Sequence, residues 1–195
     1  MAFNINDIKS QLTYGGASPA LFLVKLTFPI GLNLDVGSAK KNDAESKMSF
    51  MCKAAQIPSQ TVGVVEVPYF GRKLKVAGNR TFEDWTVTII NDEDFLIRAT
   101  LEEWNKAINS HEGNLRSNGA TTNPNSYKGT AEVWQYSKAE GVLPLRKYIF
   151  EGIFPSSLAA IDLSWETTDA IQEFTTTFSY DYWEITDVET APPVG

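Results

Sequence analysis

The residues best suited to catalysis are few in this chain. It has one histidine, His111, and one cysteine, Cys52. A Ser-His-Asp or Cys-His triad would need His111 as its base. This residue lies in the segment Asn109–Gly113, which is typical of a helix end running into a loop, so we expect a solvent-exposed histidine rather than a catalytic base. A zinc site of the usual Cys and His kind needs several such ligands, and one chain with this composition cannot supply them.

Neighbouring carboxylates are the other candidate catalytic groups, because glycosidases use pairs of them. They occur at Glu83/Asp84, at 92–94 and at Glu102/Glu103. Sequence neighbours on a strand point to opposite faces of a sheet, whereas a glycosidase pair faces across a cleft. The group at 92–94 follows Asn91, a good helix cap, and negative charge is favoured in a first helical turn. With no glycine-rich phosphate loop present either, the sequence predicts a protein that is not an enzyme and holds no cofactor.

The length of 195 residues suits one globular domain, or at most two small ones, and we predict a single domain spanning residues 1–195. The chain carries 17 Lys and Arg against 24 Asp and Glu, a formal net charge of −7. Wrapping nucleic acid requires clustered cations, so an acidic chain is poorly suited to it. A single cysteine excludes an intrachain disulfide. The most apolar stretch, Ala20–Phe28, is far shorter than the roughly 20 residues that a membrane span needs, so no membrane segment is expected.

Hydrophobic residues alternate along most of the chain, which is typical of β-strands with one buried face. The one clear helical pattern is an apolar stripe that predicts a helix at about Glu93–Asn109. Alternation also predicts a short strand at Ala160–Trp165, and Ala77–Asn79 is typical of a turn. Polar composition predicts long loops near 29–47 and 111–126 and a loose C-terminal tail at 186–195. About eight strands and one helix give a mainly β fold, an antiparallel β-barrel or sandwich with one packed α-helix.

Two groups of polar side chains stand out on the predicted strands. The last strand, at Ile171–Ile185, places five positions without a cation on one face: Glu173, Thr175, Thr177, Ser179 and Asp181. Such a face is either a solvated sheet surface or the wall of a water-filled channel, and the pattern does not choose between them. The second group is basic and comprises Arg72, Lys73, Lys75 and Arg80, beside Tyr69 and Phe70. In an acidic protein this group favours a protein–protein interface over a nucleic-acid surface, and a plain solvated strand face is the third reading.

One stretch resembles a known family. Residues 50–93 read FMCKAAQIPSQTVGVVEVPYFGRKLKVAGNRTFEDWTVTIINDE. This segment is similar to the tail tube proteins of contractile-tailed bacteriophages, which share a C-K-A segment leading to a proline, a basic strand, the run V-A-G-[DN]-R-T-F-[DE]-D-W-T-V-T and then N-D-E. The closing strand, with Asp181-Tyr182-Trp183-Glu184, is similar as well. The resemblance covers most of the chain and is strongest at 48–95 and 171–184.

The resemblance implies a structural role in the virion tail. Members of this family form hexameric rings that stack head to tail into an inner tube, inside a sheath and between a baseplate initiator and a tail terminator. DNA passes through the lumen without specific binding, and assembly takes place in the host bacterial cytoplasm. In this setting Glu173, Thr175, Thr177, Ser179 and Asp181 are candidate lumen-facing residues, and the face of Asp84, Thr86 and Thr88 competes for that role. Arg72, Lys73, Lys75 and Arg80 are candidate subunit-interface residues.

Two other functions stay open from the sequence. The same fold is similar to the tube subunits of DNA-free contractile injection particles, namely tailocins and type VI secretion systems. A monomeric β-sandwich binding module is the second alternative, with a carbohydrate-binding aromatic face formed by Trp134, Tyr136 and Trp165. Aromatic residues on a sheet more often belong to a core.

Overall fold

A computed structural model describes residues 16–34, 41–117, 123–138, 144–166 and 168–186, together with Ile5, Ile8, Lys9 and Leu12. Within these ranges the chain forms nine strands and two α-helices. The strands are β1 (Phe22–Thr27), β2 (Cys52–Ala55), β3 (Gln60–Tyr69), β4 (Arg72–Phe82), β5 (Trp85–Ile90), β6 (Gly129–Tyr136), β7 (Pro144–Leu158), β8 (Glu173–Ser179) and β9 (Tyr182–Thr186). The helices are α1 (Lys41–Met51) and α2 (Leu96–Ile108), and a 3₁₀ turn covers Pro124–Ser126.

Seven strands form one antiparallel sheet, in the order β1-β6-β7-β8-β5-β2, with β9 also paired to β7. Strand β7 has 15 residues and joins the two halves of this sheet. Its first part pairs with β6 and β9, and its last part, from Phe154, pairs with β8. Strands β3 and β4 form a separate two-stranded sheet. The predicted mainly β antiparallel fold with one main helix is confirmed, but the described strands do not close into a barrel.

The hydrophobic core lies on one face of the main sheet, as the alternating burial along β5 shows. Trp85, Val87 and Ile89 are fully buried, whereas the threonines between them are half-exposed. The Trp85 ring stacks on Phe150 with centroids 4.6 Å apart. Helix α2 covers this core with the apolar stripe predicted from its spacing, and the indole N–H of Trp104 donates to the carbonyl oxygen of Tyr127 at 2.8 Å.

Helix α2 begins at Leu96, three residues later than predicted. The backbone of Phe95 is left-handed, with φ 52°, which interrupts the helix before Leu96. Asn91 does not cap the helix but is buried, and its side-chain amide donates to Gln172. The carboxylate of Asp94 accepts the backbone N–H of Leu96 instead. The acidic group at 92–94 therefore shapes the turn before the helix.

Helix α1 was not expected, because its first residues lie inside the loop predicted at 29–47. Its sequence is mostly polar and gives only a weak helical pattern, but Ala44 and Met48, one turn apart, are buried in the core. Lys47 on α1 forms ion pairs with Asp92, at 2.7 Å, and with Asp94. Its hydrogen bonds lower the pKa of both carboxyls and raise that of the Lys47 ammonium. This contact joins α1 to the turn that precedes α2.

Strand β7 continues through Pro155, because a shift in the pairing with β8 accommodates the missing N–H. Two strand predictions differ from the structure. The long closing strand is divided into β8 and β9, with Asp181 in the bend beside Gly152, whose φ is 69°. Residues 160–165, predicted as a strand, form an irregular loop. Of the loop predicted at 111–126, residues 118–122 lie outside the described ranges, as does the tail beyond residue 186.

Candidate functional site

The side chains considered for catalysis do not form a site. His111 is exposed just beyond the end of α2. Burial raises the pKa of the Cys52 thiol to about 12, so it is protonated at neutral pH and is not a nucleophile. Among the residues that the structure describes, no group of three His, Cys, Asp or Glu side chains could hold a metal ion. Nor is any described helix long and apolar enough to cross a membrane.

The most prominent feature is a long β-hairpin. Strand β2 leads into β3, and β4 leads into β5, so residues 52–90 run out from the main sheet and back again. The ten residues of β3 are all exposed, and at about 3.4 Å per residue this strand is on the order of 30 Å long. The tip is Phe70-Gly71, where both backbones have positive φ, as in a tight hairpin turn. The turn predicted at Ala77–Asn79 is instead a bulge within β4.

The hairpin is attached to the sheet at residues 83–84, between β4 and β5. The Tyr180 hydroxyl donates to the backbone carbonyl of Glu83. Burial, together with the nearby charges of Asp84 and Glu83, raises the pKa of Tyr180 to about 12, so the donor keeps its proton. The ring of Phe82 packs near Tyr180 and Trp183. The base of the hairpin is therefore fixed, and the rest projects.

One face of the hairpin is apolar and uncovered. Val65 pairs with Val76, and Val67 pairs with Leu74, so these four side chains share one face. Their exposed fractions run from 46% to 62%, and Phe70 at the tip is 92% exposed. A contiguous exposed apolar patch on a protein usually marks an interaction site. We define these four residues as the apolar face of the hairpin.

The four predicted interface residues all lie on β4, but not on one surface. Arg72 pairs with Tyr69 at the tip end of the apolar face, whereas Lys73 and Lys75 point to the opposite face. Lys73 forms an exposed ion pair with Glu66, and Arg80 lies beyond the bulge. The predicted turn at Ala77–Asn79 would separate Arg80 from the other three cations, whereas the bulge keeps all four on β4 and interrupts their alternation.

The polar faces of the neighbouring strands β5 and β8 form one surface. Thr86 pairs with Thr177, and Thr88 pairs with Thr175. The hydroxyl of Ser179 donates to Asp84 at 2.8 Å. The two faces that competed for the lumen role are therefore one face of the β5–β8 pair. We call it the threonine face, and it comprises Asp84, Thr86, Thr88, Thr175, Thr177 and Ser179.

Two of the predicted lumen residues are neutralised by lysines. Glu173, at one edge of the threonine face, forms a 2.6 Å ion pair with Lys53 of β2. Asp181 lies in the bend after β8 and pairs at 2.6 Å with Lys128. The closing strand alone could not reveal either partner, because both lysines come from distant parts of the chain. In the described part of the chain, Asp84 is the only carboxylate of the threonine face, and it has no basic partner.

The outer face of the sheet half formed by β6 and β7 carries charged and aromatic side chains. Lys147 pairs with Glu132 at 3.0 Å and lies over the ring of Trp134. Trp134 and Tyr136 are each only 4% exposed, whereas Trp165 is fully exposed in a separate loop. These three aromatic residues do not form one surface, so the carbohydrate-binding face considered as an alternative is not formed.

Comparison with known proteins identifies the family. The family described as "Phage tail tube protein" matches residues 17–186. The chain is 33% identical over 181 residues to "Tail tube protein gp19" of Enterobacteria phage T4, covering 92% of this chain and 99% of that protein. The chain belongs to the phage tail tube protein family. The tail tube protein of Serratia phage KSP90 is 24% identical, over 90% of this chain and 93% of that protein.

A solved structure shares the fold of this tail tube protein. A chain of the PVC sheath–tube complex of an extracellular contractile injection system matches 96% of this chain and 100% of its own length, with a TM-score of 0.56 and 14% sequence identity. The family resemblance predicted from residues 50–93 is confirmed. The chain is thus a tail tube subunit of the kind found in contractile-tailed phages, and the hairpin and the threonine face are features of such a subunit.

Proposed function

We propose that this tail tube protein forms hexameric rings that stack head to tail into the inner tube of a contractile tail, through which DNA leaves the virion. It acts as a structural protein without catalytic activity. A sheath surrounds the tube, a baseplate initiator and a tail terminator hold its ends, and the subunits assemble in the host bacterial cytoplasm. The observation that carries the proposal is the uncovered apolar face of the projecting hairpin, which one subunit has no means of burying.

The edges of the main sheet support ring formation. β1 and β2 are its end strands, and among the described residues each is hydrogen-bonded to a neighbouring strand on one side only. Free strand edges template pairing with another chain. Pairing β1 of one copy with β2 of the next would remove these edges around a closed ring. Stacking of rings is a heterologous contact that does not close, so it produces a filament.

The threonine face is the surface we assign to the lumen. Tight DNA binding needs cations that neutralise phosphates. The threonine face has short hydroxyl side chains and one carboxylate, and its neighbouring Lys53 is already paired with Glu173. The outer face of the sheet half formed by β6 and β7 carries the longer side chain of Lys147 over Trp134. DNA would slide along the first surface more easily than along the second.

Placing lysines on the threonine face is expected to turn a conduit into a DNA-binding channel. We expect T175K/T177K subunits to assemble in the presence of a short labelled duplex and to retain DNA that sediments with the tubes and resists nuclease. Wild-type tubes should retain little. The retained DNA should decrease as salt increases, because the added contacts are electrostatic.

The matched control is N42K/N109K, which adds two lysines at exposed positions away from this face, one on α1 and one directly after the end of α2. It should hold only nuclease-sensitive DNA. Assembled T175K/T177K tubes without protected DNA would mean that the threonine face does not line the lumen.

Electron microscopy and light scattering of the purified protein test the proposed function itself. We expect hollow stacked rings above a threshold concentration, with six subunits in each ring. If polymerisation is controlled by nucleation, preformed tube ends should trigger growth of a protein that is monomeric when alone. A subunit that stays monomeric at high concentration, even with tube ends added, would contradict the proposal.

A further inference from the structure

A second exposed apolar surface lies in the loop between β7 and β8. We call its described residues, 159–166 and 168–172, the acidic loop. Leu163, Trp165 and Ile171 are exposed by 85%, 101% and 71%. Apolar and polar residues therefore alternate at 160–165 although this segment belongs to no sheet of the subunit. Large apolar side chains held fully in water are typical of an interaction surface.

The base of this loop is fixed at both ends. At its start, the Ala159 carbonyl accepts from the Arg98 guanidinium at 2.9 Å, and the Ala159 N–H donates to Thr175. At its end, Gln172 accepts hydrogen bonds from both the backbone and the side chain of Asn91. The exposed tip is therefore presented from a defined position on the sheet.

The acidic loop and the hairpin have opposite charges. The loop contains Asp162, Glu166 and Asp169 and no lysine or arginine. None of the ion pairs among the described residues uses these three carboxylates. Residues 60–82 contain two lysines and two arginines against one carboxylate, Glu66. The two surfaces thus carry about equal and opposite charge, and each combines charge with exposed aromatic and aliphatic side chains.

The two surfaces lie at opposite ends of the same strands. The hairpin leaves the sheet next to Trp85, at the start of β5, and β5 ends at Ile90, which pairs with Glu173 directly after the acidic loop. Six strand residues separate these ends by about 20 Å. Because the hairpin extends away from the loop, a contact between them joins two copies of the chain.

We propose that the acidic loop is the docking site for the β3–β4 hairpin of a second copy of this chain. The aromatic and aliphatic tips, Phe70 with Leu74 on one copy and Leu163 with Trp165 on the other, form the apolar centre. The basic side chains flank this centre on both faces of the hairpin tip, with Arg72 on the apolar face and Lys75 on the opposite one. Together with the acidic side chains of the loop they guide the encounter and fix the register. This inference rests on the proposed function and specifies the contact that joins successive subunits.

Charge reversal tests the contact in both directions. D162K/E166K should raise the threshold concentration for polymerisation at low salt by at least about tenfold, and R72E/K75E should do the same. Each variant alone presents like charges on both surfaces. Combining all four substitutions in one chain restores opposite charges, so polymerisation should recover to within about threefold of wild type. The matched control E103K/E112K reverses two acids outside the loop and should leave the threshold nearly unchanged.

The outcomes separate this inference from the proposed function. Wild-type tubes together with unaffected assembly of D162K/E166K, or no recovery in the four-fold variant, would overturn the docking site and leave the tube function standing. Failure of the wild type to polymerise even when preformed tube ends are added would overturn the function. Hydrogen exchange of wild-type polymer against monomer provides a measurement that needs no variant. We expect new protection in both 60–82 and 159–172, and an unprotected acidic loop would refute the contact.

Discussion

A subunit carrying V67E/L74K is expected to fold normally and to form no tubes at concentrations where the wild type polymerises. The two residues face each other across the hairpin and are 46% and 62% exposed, so polar replacements cost the free subunit little. The opposite charges stand directly across the strands and support the pairing. In an assembled tube the same pair would have to lose its water, which costs several kcal/mol.

The expected result is a threshold concentration raised at least about a hundredfold, the equivalent of about 2.7 kcal/mol. Sedimentation and electron microscopy measure assembly, and circular dichroism with thermal melting checks the fold. V64E/A77K is the matched control, because Val64 and Ala77 form the corresponding pair on the opposite face. Equal loss of assembly in both variants would show that the apolar face has no special role.

Replacing Trp85 with alanine is expected to give the largest loss of subunit stability, about 3–5 kcal/mol. The side chain is fully buried, stacks on Phe150 and contacts the ring of Phe178 at a centroid distance of 5.5 Å. Truncation removes this contact area and leaves a cavity between β5, β7 and β8. Urea unfolding of the free subunit measures the effect.

Trp85→Phe is the control that separates packing from polarity. The indole N–H of Trp85 is buried without a hydrogen-bond partner among the described residues. Phenylalanine keeps most of the ring contact and removes this unsatisfied donor, so its cost should stay below about 1.5 kcal/mol. A loss under about 1 kcal/mol for the alanine variant would mean that the ring stack is not central to the fold.

The sequence predicted single elements well where one side of an element is buried. The alternation in β5 and β8 and the stripe of α2 arise from burial within one element, so their periods are visible without knowing the neighbours. Helix α1 was missed because two buried side chains, Ala44 and Met48, suffice to hold it. The false strand at 160–165 shows the converse, since Leu163 and Trp165 alternate without a partner strand in the subunit.

The relations between elements could not be predicted from alternation. The register that unites Thr86 with Thr177 depends on which strands become neighbours. The same holds for the partners of Glu173 and Asp181, which come from residues 120 and 53 positions away. The sequence thus supplied the polar and basic residues of the candidate surfaces but not the apolar face of the hairpin, because exposed valines on a strand have the same pattern as buried ones. The pairing of distant strands determines which residues lie together and how much net charge each surface keeps.

The isolated two-stranded sheet of β3 and β4 bears on when polymerisation starts. A hairpin with no third strand and no covering layer is at best marginally stable in water. Ordering the hairpin in its docked shape therefore costs each arriving subunit conformational entropy. The first contacts bury only part of the apolar face, so they offset only part of this cost. We therefore expect a higher barrier to nucleation than to elongation. A template that already holds the docked shape would remove the nucleation step, so that below the threshold concentration newly made subunits would stay dispersed until a growing end is available to receive them.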